Sequence, residues 1–66
     1  MKPTLQKHDK NCYRIMEGDK IVAFALRYSN DRWGLYGTDD KPLTDESFSR
    51  PAMVLKAYVY RALTAA

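Results

Sequence analysis

The stretch Lys20–Tyr28, KIVAFALRY, constrains this chain more than any other part of it. Its composition is that of a β-strand with apolar residues on both sides. Val22, Phe24, Leu26 and Tyr28 form the larger row, and Ile21, Ala23 and Ala25 form the smaller one, which ends at Arg27. A strand of that kind sits centrally in its sheet and is covered on both faces. With 66 residues the chain has room for one domain and one core. Cover must therefore come from very few elements.

Pro51 to Ala66 is the one segment with helical spacing. It carries Lys56 and Arg61 as its charges and holds no acidic residue. Ala52, Leu55, Val59, Ala62 and Ala66 recur at i, i+3, i+4 and make one apolar stripe. Met53, Ala57, Tyr60 and Thr64 make a second. A helix lying on one small sheet needs a single apolar face. Two faces imply a second contact, with another copy of the chain or with a protein partner.

The rest of the chain supplies the sheet. Residues 1–11 are polar and without periodicity, so they read as a flexible arm or a short edge segment ahead of a single domain at 12–66. Cys12–Glu17 reads as a strand, Gly18-Asp19 as a tight turn, and Ser29–Arg32 as a second turn. Trp33–Gly37 is a third strand, and Thr38–Lys41 turns the chain again. Lys41–Thr44 has the makings of a short fourth strand, at an edge because of Pro42. Ser49 is a helix N-cap, with Pro51 in the first turn. The expected fold is α+β: a three-stranded antiparallel meander, with room for a fourth strand, followed by one C-terminal helix. Its core is expected to hold Tyr13, Ile15, Val22, Phe24, Leu26, Trp33, Leu35, Phe48, Leu55, Val59 and Leu63. The larger row of the central strand should meet the helix, because it buries more apolar area.

Composition excludes several classes of function. Apolar residues at 45% and charged residues at 29% describe a globular chain. No apolar run has the length of a membrane span, and the start MKPTLQKHDKNC has no signal-peptide core. The lone Cys12 cannot close an internal disulfide, so the expectation is a cytoplasmic protein with no membrane contact. His8 and Cys12 are too few for a zinc site, and a nucleophile–base pair needs a pocket around it. Asp39 and Asp40 are turn formers, and Asp45 and Glu46 are charges ahead of a helix. The three glycines are scattered, with no phosphate-cradling loop. The reading is a non-enzyme with no metal, no cofactor and no small-molecule substrate.

Two kinds of partner remain. The leading expectation is a small interaction module that self-associates, as a homodimer or larger homo-oligomer, or docks on a larger protein. Its contacts would be Met53, Ala57, Tyr60 and Thr64 on the helix, or Ile21, Ala23 and Ala25 on the sheet. The alternative is DNA or RNA binding. Residues 1–34 hold seven basic against four acidic side chains, whereas residues 35–66 hold four of each. Arg14, Arg27, Arg32 and Tyr36 on the sheet and its turns would then be the contacts, with Lys2, Lys7 and Lys10 of the arm on phosphates.

Three strands followed by a helix, with Phe48-Ser49 leading into Ala57-Tyr58 and Ala62, resemble in layout the DNA-binding modules of integrase amino-terminal and AP2-type domains. The resemblance implies a sheet laid in the major groove and read-out by Arg14, Arg27, Arg32 and Tyr36. In size and character the chain is also similar to accessory proteins of phages and other mobile elements.

Overall fold

In the computed structural model, which describes residues 2–64, four strands follow one another through tight turns and a helix closes the chain. The strands are β1 (Thr4–Asp9), β2 (Cys12–Glu17), β3 (Lys20–Ser29) and β4 (Arg32–Tyr36), and the helix is α1 (Pro51–Thr64). They form one antiparallel sheet in the order β1-β2-β3-β4. The expected α+β meander with a C-terminal helix is what the chain adopts, and its fourth strand lies at the other end of the sequence. Residues expected to form a loose arm or a short edge segment supply β1, an edge strand. Lys41–Thr44 contributes only an isolated bridge from Pro42 to Tyr36.

Turn chemistry explains the connections. Between β1 and β2, the Asn11 amide donates to Asp9 Oδ1 at 2.7 Å. Gly18 turns the β2–β3 hairpin at φ 65°, and Asp31 turns β3 into β4 at φ 55°. Both lie in the left-handed region that glycine and aspartate enter most easily. After β4 the chain doubles back along the strand's free edge. Trp33 and Phe48 exchange backbone hydrogen bonds of 2.7 and 2.9 Å, and the Leu43 amide donates to the Leu35 carbonyl at 2.9 Å. This return satisfies an edge that would otherwise present bare amides.

The core lies between the sheet and α1. Ile15, Ala23, Ala25, Trp33, Leu35 and Val54 are buried, with Leu5, Tyr13, Val22, Phe48, Leu55 and Tyr58 packed around them. Tyr13 meets Trp33 edge-on, with ring centroids 5.4 Å apart. The side of β3 facing the helix is thus the alanine side, and this corrects the expected packing. Phe24 and Leu26 stand on the opposite face, and Leu63 is 76% exposed. Large side chains on the neighbouring strands already fill the flanks of the core. Over β3, two methyl groups leave the space into which Val54 settles.

A β-bulge completes this assignment. Ile15 pairs with Ala23 and Met16 with Ile21, so Val22 has no partner across the ladder. The extra residue breaks the alternation. Val22 packs against the core beside the alanines, whereas Ile21 lines a hollow on the other face with Phe24 and Leu26.

The helix also departs from its expected stripes. Its one fully buried residue, Val54, belongs to neither stripe, and Ala52 and Ala62 are exposed. Ala66 lies outside the described residues. The hydroxyl of Ser49 donates to the Met53 sulfur at 3.4 Å, and Arg50 directly precedes the first helical residue.

Candidate functional site

Two surfaces remain once α1 has settled on the sheet: the outer side of the helix and the open face of the sheet. On the helix, Tyr60 and Leu63 are 70% and 76% exposed. Together with Pro3, Leu55 and Val59 they line an apolar hollow rimmed by Lys2 and Lys56. Around the other flank of the helix, Ala57, Tyr60 and Thr64 line a second hollow with Leu35, Phe48 and Glu46. Three of the four helix contacts expected from the sequence are therefore brought together. Met53, the fourth, is exposed nearer the start of the helix.

The expected sheet contacts divide. Ile21 is on the open face. Ala23 and Ala25 are completely buried and cannot touch a partner. This corrects their assignment as contact residues: α1 covers the alanine side of β3, and the bulge at Val22 parts Ile21 from them.

The basic and aromatic set divides as well. Gln6 pairs with Arg14, Arg14 with Phe24, and Phe24 with Tyr36, so the four residues form one row across all four strands. Arg14 lines the same open hollow as Phe24 and Leu26. Its guanidinium donates to Gln6 Oε1 at 3.3 Å and bonds His8 Nδ1 at 2.8 Å. Arginine has no acceptor to offer, so the His8 ring accepts through Nδ1 in this arrangement. Arg27 pairs with Trp33, which places it on the helix side of the sheet and not beside Arg14. It bonds the Ser29 carbonyl and Asn30 Oδ1. Lys7 pairs with Tyr13, again on the helix side, and Lys10 lies in the β1–β2 turn near Arg27 and Tyr28. Arg32 is exposed at the head of β4, opposite Ser29.

Two features of the open face escaped the sequence reading. Its size puts Phe24 in the expected core, and Gly34 reads from the sequence only as part of a strand. A Cβ on Gly34 would stand 2.7 Å from Tyr36 Cε1 and 3.5 Å from Tyr28 Cε1. The two tyrosine rings therefore occupy the space over this glycine. A glycine inside the strand, between Trp33 and Leu35, was the available signal, because such positions mark close approach of another group.

Burial raises the Cys12 thiol above its ordinary value of 9.0, Asp9 adds to the rise and Arg14 opposes it. The thiol is therefore protonated at neutral pH and a poor nucleophile. Among the described residues no group of three or more His, Cys, Asp or Glu side chains converges. The Asp39 carboxylate accepts from the Lys41 amide, as a turn residue does. No helix among the described residues is long and apolar enough to cross a membrane.

The chain matches no family model, no curated protein and no solved structure.

Proposed function

We propose that this chain is a small non-catalytic interaction module that docks on another protein through the outer side of α1. The observation that carries the reading is the exposure of Tyr60 and Leu63 beside Leu55, Val59 and Pro3. An exposed tyrosine on the rim of an apolar hollow is a usual anchor of a protein contact, and Leu63 extends the apolar surface beside it.

Charge favours one form of docking over the other. Lys2 and Lys56 rim the hollow, and α1 contains no acidic residue. Two copies meeting symmetrically through this surface would bring like charges together, which opposes association. An amphipathic helix with an acidic polar side complements both the apolar floor and the lysine rim.

The test is a titration of the isotope-labelled chain with two designed amphipathic peptides that share a leucine stripe and carry either glutamates or lysines. The acidic peptide is expected to shift the amide signals of Val59 to Leu63, and the basic one to leave them in place. Leu63→Ser should weaken the acidic complex about tenfold, in keeping with the loss of a buried leucine. Two results would reject docking on an acidic partner: helix signals that ignore the acidic peptide, or a stable homodimer by light scattering that Leu63→Ser dissociates.

A further inference from the structure

The open face of the sheet carries a different chemistry, and we infer that it is a binding site for single-stranded nucleic acid. This inference does not rest on docking through α1, and each can fail without the other.

The row Gln6, Arg14, Phe24, Tyr36 crosses the sheet at one level. Adjacent strands lie about 5 Å apart, so neighbouring side chains in the row are in reach of one ligand. Its β1–β2 half is cationic and hydrogen-bonding, and its β3–β4 half is aromatic. Within the cationic half, both acceptors that hold Arg14, Gln6 Oε1 and His8 Nδ1, are uncharged. They orient the guanidinium without neutralising it, and its remaining donors are available to an outside anion. Asp40 is the one acidic residue lining the hollow around Arg14, among the described residues.

Within the aromatic half, the absence of a side chain at Gly34 gives the rings of Tyr36 and Tyr28 room over the strand. Tyr28 is 56% exposed. Rings held on a sheet beside an oriented cation match a ligand that alternates flat, stackable groups with negative charges. A single nucleic-acid strand is such a ligand: its bases stack on aromatic side chains and its phosphates pair with arginine. A duplex keeps its base faces stacked inside and offers them to no platform. At the end of the sheet, Lys10 in the β1–β2 turn and Arg32 at the head of β4 add exposed positive charge along which a strand's backbone could continue.

The decisive experiment is fluorescence anisotropy of labelled oligothymidylate and oligouridylate, about ten nucleotides long, against the full chain. Binding is expected at low salt and should weaken between about 50 and about 200 mM, with a logarithmic slope of about −0.7 per phosphate neutralised. Arg14→Gln should weaken binding and flatten that slope by about 0.7. Tyr36→Leu, which keeps an apolar group over Gly34, should cost about tenfold through lost stacking. Tyr28→Ala, at a position 56% exposed, provides the same reading should Tyr36→Leu fail to fold. Leu63→Ser on the helix should leave oligonucleotide binding unchanged. The inference is overturned if the folded chain binds no single strand at low salt. It is equally overturned if a duplex of the same length binds more tightly, or if folded variants lacking Arg14 and an open-face tyrosine bind as well as the parent.

Discussion

The two faces of the sheet use the same four strands and reach opposite solutions. On the closed face, small residues lie at the centre and large ones at the flanks: Ala23 and Ala25 under α1, with Ile15, Trp33 and Leu35 around them. On the open face the centre is large, with Phe24 and Leu26 on β3, and a glycine stands on β4. The difference teaches that a helix seeks a recess and not the greasiest row. The area buried by a partner depends on how closely the backbones approach, and alanines permit the closer approach.

The comparison can be broken most sharply by truncating one residue on each face. Ile15→Ala, at a completely buried position, should cost about 2–5 kcal/mol in urea unfolding. Phe24→Ala, on the half-buried open face, should cost clearly less despite removing a larger side chain. Equal losses would mean that the open face is as much a core as the closed one.

Ala25→Leu addresses the recess itself. Placing a larger side chain beneath α1 should destabilise by about 1–3 kcal/mol, because the core has no space for it. A stabilised variant would show that the helix rests on the flanks and leaves a void above β3.

Gly34→Ala makes the corresponding intrusion on the open face. Its methyl group would meet the Tyr36 ring at 2.7 Å, and the ring has room to move away from the sheet, so about 1 kcal/mol is expected. Combining it with Tyr36→Ala in a double-mutant cycle should recover most of that loss. Additive effects would mean that the ring does not occupy the space over the glycine.

The smallest effect concerns pH on the closed face. Burial raises the Tyr58 hydroxyl above its ordinary value of 10.0, with the charge of Glu17 and the hydrogen bond to it adding to the rise. The folded state therefore holds this proton more tightly than the unfolded one. Stability is unaffected below pH 10 and falls as pH rises through the elevated value. Tyr58→Phe should flatten that alkaline decline in thermal melts, and an unchanged slope would place its cause elsewhere, with the raised Cys12 thiol the next group to replace.

Much of the architecture was legible beforehand because it rests on local chemistry. The turns at Gly18 and Asp31 announce themselves through residues that tolerate a left-handed backbone, and the long apolar run of β3 could only be a central strand. β1 was harder to read. Its six residues include one apolar side chain, Leu5, and pairing with β2 holds it in the sheet. Of the candidate surfaces, the exposed Tyr60 could be read from helical spacing. Alternation puts Arg14, Arg27 and Tyr36 on one face, which holds for Arg14 and Tyr36 but not for Arg27, which lies on the helix side beside Trp33. The row that joins Arg14 and Tyr36 through Phe24 could not be read, because it depends on strand register.

What the chain's own letters determined is therefore part of the inventory: three of the four strands, where they turn, and that one helix cannot cover a strand apolar on both sides. Which side that helix covers was decided only by the tertiary structure. One unpaired residue at Val22 exchanges the faces of Ile21 and Val22. The alternation on which any sequence reading depends holds only while every residue of a strand has a partner across the ladder.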